Sequence, residues 1–292
     1  MNRLPAPAAL VAAIVIIMAV LACGGGARNP TPPAGDSSEG PRTEGPAPGG
    51  AGSAGTGSAG AASAGPDMAA AIPDGQAIGS AVLAGRVTFS GSVPPRRPIR
   101  MSAEAACHRP GGDPALAEDL IVNPDGTLQN VWVRVIAGLG PRTFAPPSTS
   151  VEVDQKGCLF APHVLMARTG QPIQFRNSDP VLHNINTLAR LNRGFNLSLP
   201  APGMSVTRSF AKAEAVRIKC DVHTWMAAWI VVNDNPFQAL TGDDGTFELT
   251  GLPEGAYEIE AWHETLGTAR QVVNVTENGR REIVFSFTRP DR

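Results

Sequence analysis

Within Lys219-Cys220-Asp221-Val222-His223-Thr224-Trp225-Met226 the chain sets a thiol, an imidazole and a thioether inside seven residues. A second imidazole, His183, stands 37 residues before Cys220 in Asn177-Ser178-Asp179-Pro180-Val181-Leu182-His183-Asn184-Ile185. Two His nitrogens, one Cys sulfur and a weakly bonding Met sulfur are the donor set of a copper site that passes single electrons. Thiolate and thioether suit Cu(I), and imidazoles also suit Cu(II), so the mixture serves both oxidation states. C-x2-H alone could be half of a zinc site. Structural zinc wants four strong nitrogen or sulfur donors, however, and the fourth here is a thioether.

These residues are similar to those of the cupredoxins, and of amicyanin most closely. Amicyanins close the site with C-x2-H-x2-M, the spacing of Cys220, His223 and Met226, and place the first ligand in an H-N-V/I context, matched by His183-Asn184-Ile185. The resemblance covers about residues 148–234, with Trp229-Ile230-Val231-Val232 as the last strand. It implies one type 1 copper held by His183, Cys220 and His223, with Met226 axial. It also implies that Asn184 ties the two ligand loops together, its backbone N–H facing the thiolate. Amicyanins commonly carry Pro after the ligand His, whereas Thr224 and then bulky Trp225 stand here. The His223 edge, beside Trp225, is the expected electron port.

The chain has four cysteines. With Cys23 assigned to lipid, an odd number remains, which asks for one special thiol. If Cys220 holds copper, Cys107 and Cys158 are free to pair in an oxidising compartment; the competing pairing sacrifices the ligand. His108 and His163 sit near those cysteines and read as packing or surface residues rather than a second metal site, as does His263. Asp243 and Asp244 precede Gly245 and read as turn formers. Five histidines do not furnish a further multi-His catalytic centre, so the expectation is an electron carrier and not an enzyme.

The elements that must carry these groups are strands. Across 292 residues, 42% are hydrophobic and 17% charged, against a typical ~25% charged. Short β-branched runs recur at Ala84–Gly91, Val131–Val135, Ser150–Val153, Ile173–Arg176, Val206–Phe210, Val216–Lys219 and Trp229–Val232. They continue at Thr246–Leu249, Tyr257–Ala261, Gln271–Val275 and Glu282–Phe287. Turn signals such as Pro124-Asp125-Gly126 separate them, which predicts an all-β chain of sandwiches. Ala115–Asp119 and Ala211–Ala215 read as short helical turns.

A second likeness lies in Thr241-Gly242-Asp243-Asp244-Gly245-Thr246-Phe247-Glu248-Leu249 and Gly251-Leu252-Pro253-Glu254-Gly255-Ala256-Tyr257. These resemble the T-x-x-D-G-x-F-x-L and G-L-P-x-G-x-Y runs of the carboxypeptidase regulatory-like (prealbumin-like) sandwich. The opening strands of that family are missing just upstream and are matched instead at Gly85-Arg86-Val87 and Val131-Trp132-Val133. The expected layout is therefore one sandwich from residues 80–147 and 235–292, with a cupredoxin Greek-key sandwich at 148–234 inserted in it or beside it. The inserted part is expected to fold alone, with its first and last strands, near Val151 and Val231, as neighbours.

The N-terminus reads as an address. Arg3, the apolar stretch Ala6–Ala22 and Val20-Leu21-Ala22-Cys23 resemble a bacterial lipoprotein signal, with 1–22 removed and Cys23 lipidated. From Gly24 to Asp67 there is no Val, Ile, Leu, Met, Phe, Trp or Tyr, so residues 23–79 read as a disordered Gly/Pro/Ala/Ser linker. A net charge of -2 excludes the basic footprint of a nucleic-acid binder. The combined expectation is an exported lipoprotein, held to the membrane by its lipid anchor and facing the periplasm or cell exterior. It would carry single electrons between periplasmic redox proteins. Copper storage or delivery with the same ligands, and a structural or carbohydrate-binding lipoprotein, are the alternatives.

Overall fold

Alternating apolar and polar side chains drive almost every regular segment of this chain into extended backbone, because each strand can then bury one face. The structure, a computed structural model, describes residues 70–101, 104–107 and 112–289. Cys23, expected to be lipidated, the expected leader, most of the expected linker and His108 lie outside the described residues. Among the described residues there are strands and no helix, as the all-β expectation holds, and no helix is long and apolar enough to cross a membrane.

In chain order the strands are β1 (Ala81–Ser90), β2 (Trp132–Ala137), β3 (Val151–Gln155), β4 (Phe160–Ala161), β5 (Val164–Arg168), β6 (Ile173–Asn177), β7 (His183–Leu188) and β8 (Asn196–Leu199). They continue as β9 (Ser205–Arg208), β10 (Glu214–Lys219), β11 (Ala227–Asn233), β12 (Gln238–Leu240), β13 (Thr246–Leu252), β14 (Gly255–His263), β15 (Gly267–Val275) and β16 (Arg280–Thr288). Four sheets result, in the orders β5-β11-β10-β7-β8, β4-β3-β6-β9, β13-β1-β16 and β12-β2-β14-β15. Strands β3–β11 thus pair only among themselves, as do β1, β2 and β12–β16.

Two of the expected features differ. Leu116 bridges Pro98 in extended backbone, and Glu214 already opens β10, so neither predicted helical turn forms. Val151 and Val231 are not paired neighbours: β3 pairs β4 and β6, whereas β11 runs between β5 and β10 in the other sheet.

Each pair of sheets encloses its own core. One is built on Leu83, Val87, Val133, Leu249, Ile259 and Phe285. The other is built on Val153, Phe175, Ile185, Val216, Ile218 and Ile230, and it also contains Cys220 and Met226. Met101 and Cys107 belong to this second core too. The segment that precedes β2 in sequence therefore packs against the site-bearing sandwich. Strand β11 explains its own near-continuous apolar run: Ala228, Ile230 and Val232 face that core, while Trp229 and Val231 face Trp132, Leu240 and Trp262 of the neighbouring sheet. A strand covered on both faces has no reason to alternate.

Candidate metal centre

The register of two neighbouring strands brings the donors together. Lys219 at the end of β10 pairs antiparallel with Asn186 of β7. Cys220, one residue on, therefore lies beside the start of β7, where His183 is the first residue. The segment from Cys220 to Met226 closes on itself. The Met226 N–H donates to the His223 carbonyl at 2.9 Å, and the Cys220 N–H donates to the Met226 carbonyl at 3.1 Å. A short loop pinned at both ends holds its side chains in one arrangement.

His183, Cys220 and His223 offer donor atoms that all lie within 4.8 Å of one another. The Nδ1 atoms of His183 and His223 are 2.9 Å apart, and Cys220 Sγ is 3.8 Å from His223 Nδ1. Relative exposure is 0% for His183, 1% for Cys220, 3% for His223 and 0% for Met226. Met226 packs in the same core, immediately after the loop that carries the other two donors.

Electrostatics at the cluster favour a bound cation. His183 Nε2 faces Asp179 Oδ2 at 3.0 Å. A carboxylate only accepts, so Nε2 carries the proton and the Nδ1 lone pair of a neutral His183 is left pointing at His223. Two such nitrogens in close contact need a proton or a metal between them. Burial opposes charging His183, but hydrogen bonds with Cys220 and Asp179 outweigh it and raise its pKa. Burial, and then the His183 charge, lower that of His223. Burial likewise opposes ionisation of Cys220, yet hydrogen bonding with the charged form of His183 and with the backbone groups of Asn184, His223 and Val222 holds the thiol below its ordinary range. The donor set therefore fits a soft or borderline cation, and its mixed N2S character with a buried thioether fits copper.

Asn184 joins the two ligand-bearing segments. Its Oδ1 accepts from the Asp221 N–H at 2.6 Å and from Cys220 Sγ at 3.2 Å. Its Nδ2 donates to Asp221 Oδ2 at 3.0 Å. Asp221 also accepts from Asn186 and Asn196 and pairs with Lys219 at 2.7 Å, which holds its carboxyl well below the usual range. One carboxylate thus ties β7, β8 and the Cys220 loop together. Gln155, fully buried, donates to the Asn184 carbonyl from the facing sheet.

Cys107 and Cys158 are joined by a disulfide, and Cys220 is free and buried. His163 bonds Glu264, which also accepts from Trp229 Nε1 at 2.8 Å, so this His lies between the sandwiches and not at the donor cluster. His263 is buried, its Nδ1 accepting from the Thr265 N–H with the Thr265 hydroxyl also beside it. Asp244 caps the turn to Thr246. The His223 edge is not a surface: Trp225 lies against it with ring centroids 5.1 Å apart. Sequence reasoning gave no role to Asp179, Asp221 or Gln155. Only the four-residue spacing of Asp179 and His183 signalled any of them.

No family model matches the chain, and no curated protein matches it. Among solved structures it is similar to a copper-containing nitrite reductase from Thermus scotoductus, at 23% identity over 34% of this chain and TM-score 0.27. The chain spans a quarter of that enzyme's length, 25%. A purple cupredoxin from Nitrosopumilus maritimus aligns at 19% identity, covering 28% of this chain and 98% of its own, with TM-score 0.25. An oxidised amicyanin variant aligns at 14% identity over 40% of this chain and 93% of its own, with TM-score 0.27. The fold is all-β, and its structural neighbours are cupredoxins.

Proposed function

We propose that this chain is a type 1 copper protein that carries single electrons. His183, Cys220 and His223 would hold the metal, with the Met226 thioether as a fourth donor. The observation that carries this reading is the convergence of two imidazole Nδ1 atoms and one thiol within 4.8 Å in a fully buried pocket. Copper held there would supply a one-electron Cu(II)/Cu(I) couple. The protein's part is to keep one geometry. Asp179 fixes the His183 tautomer, Asn184 fixes the Cys220 loop, and the surrounding core excludes water.

Burial of every donor favours electron transfer over substrate turnover or metal exchange, since both of those need an accessible position. Trp225 replaces the His223 edge as the way out. Its ring contacts His223 on one side and lines, with Thr224, Phe160 and Ala227, an 840 Å³ cleft on the other. Residues 148–234 are read as the copper domain, inserted into a sandwich made from 80–147 and 235–292 that serves as its support. The separate pairing of β3–β11 supports this. With the leader and Cys23 read as above, the protein is an exported, lipid-anchored carrier working between periplasmic redox proteins.

The test is repeated one-electron reduction and reoxidation of the copper-loaded full chain in the presence of a Cu(I) chelator. A carrier returns its full visible absorption over many cycles. Loss of copper to the chelator during the first cycles would favour storage or delivery.

A further inference from the structure

One backbone residue reaches both histidines of the metal centre. The Cys158 N–H donates to Asp179 Oδ2 at 2.7 Å, and the same oxygen accepts from His183 Nε2 at 3.0 Å. The Cys158 carbonyl accepts from Trp225 Nε1 at 3.0 Å, and the Trp225 ring lies on His223. The two peptide groups flanking one Cα thus hold the outer sides of both imidazoles, one through a carboxylate and one through an indole.

Cys158 keeps those groups in place at a cost. Its φ is 56°, in the left-handed region that a non-glycine residue occupies only when its surroundings impose it. Its side chain is bonded to Cys107, which is 2% exposed and packs with Met101 into the site-bearing core. Gly157, whose N–H also donates to Asp179, is the other fixed point of this turn. The Cys220 side is held by Asn184 and Asp221, through hydrogen bonds that do not pass through Cys158.

We propose that the Cys107–Cys158 disulfide positions the metal centre: it holds Cys158 so that its N–H orients His183 through Asp179 and its carbonyl orients His223 through Trp225. The inference rests on reading His183 and His223 as metal ligands. Cys107 and Cys158 are positioning residues that touch no metal. Cutting the bridge should loosen the imidazole side of the site and leave the Cys220–Asn184 side as it is. If the disulfide acted only on the unfolded chain, cutting it would lower stability and change neither histidine.

The experiment compares the metal-free full chain with Cys107→Ala/Cys158→Asn, in which Asn accepts left-handed backbone more readily than most residues. Hydrogen exchange of the Trp225 Nε1–H and His183 Nε2–H is followed by NMR. The Trp132 Nε1–H, bonded to Gln238 in the other sheet pair, serves as reference. The expected result is exchange about tenfold faster or more at Trp225 and His183, with Trp132 unchanged. A second variant, Cys107→Ser, keeps the Cys158 side chain and should give the same pattern. Unchanged exchange at both sites would overturn the proposal. So would equal acceleration at Trp132 in both variants, since the bridge would then hold the fold at large. In copper-loaded protein the double variant should also show a shifted reduction potential. A wild-type chain that takes up no copper would sink the electron-carrier reading and leave the exchange result standing as a test of the disulfide.

Discussion

Cys220 sits where two requirements meet: its sulfur must be ionised to bind a soft metal, and it is buried, which opposes ionisation. The hydrogen bonds from His183 and the loop amides resolve that conflict in favour of the thiolate. Asn184 is the residue that places those amides. Asn184→Ala should therefore cost about 1 kcal/mol, the worth of the hydrogen bond its Oδ1 accepts from the Asp221 amide, and should shift the thiolate–copper absorption. Urea unfolding and the visible spectrum measure the two effects; a variant as stable as wild type with an unmoved band would remove Asn184 from the site. Met226→Gln tests the fourth donor. A harder oxygen donor favours Cu(II), so copper should be retained at a lower reduction potential. An identical potential would mean that Met226 is a core residue and no ligand.

Strand β1 lies between β13 and β16, and at Gly85 both neighbours press on the backbone. A Cβ there would stand 2.1 Å from the Ile283 carbonyl oxygen and 2.8 Å from the Phe247 ring. Gly85→Ala should therefore destabilise the chain by about 3 kcal/mol through overpacking, while the copper absorption per folded molecule stays the same. Loss of the copper band at full folding would mean that the two cores are not separate. The period-2 patterns of β1, β10 and β13–β16 were legible because each has one polar face, and the C-x2-H-x2-M spacing was legible because loop length constrains ligand geometry. Strand β5 and the start of β7 were not, since Val164-Leu165-Met166-Ala167 and His183-Asn184-Ile185 are covered on both faces and carry no alternation. Nor was the packing of Met101 and Cys107 against the other sandwich: a lone apolar residue and a Cys in a Pro-rich stretch do not say which core they enter. The burial of His223 was not legible because the loop spacing does not say which way Trp225 turns, and only the packed structure shows it lying against the imidazole.

Between the two sandwiches the contact is aromatic at its centre and titratable at its rim. Trp229 and Trp262 meet edge to face with centroids 5.0 Å apart, and Trp132 meets Trp262 at 6.5 Å. His163 and His263 flank this contact and respond to pH in opposite senses. Burial holds His263 neutral, its pKa pushed down from 6.5 to about 4. The unfolded chain takes up that proton first, so the His263 contribution is complete above 6.5 and is lost as pH falls towards 4, by about 3 kcal/mol. Burial also opposes charging His163, but its bond to Glu264 outweighs this and raises its pKa. That contribution is complete below 6.5 and fades as pH rises through the folded value. Stability should therefore peak near neutral pH. His263→Asn should flatten the acid limb of the stability–pH profile and leave the alkaline limb; an acid limb as steep as in wild type would assign it to other groups.

The most direct measurement is the visible absorption and electron paramagnetic resonance of the purified full chain titrated with Cu(II), alongside Cys220→Ser. The account predicts one copper per chain with intense thiolate-to-copper absorption in the wild type, absent from Cys220→Ser, which keeps the same β-sheet circular dichroism. A wild-type chain that binds no copper, or a Cys220→Ser chain that remains as intensely coloured, would contradict it.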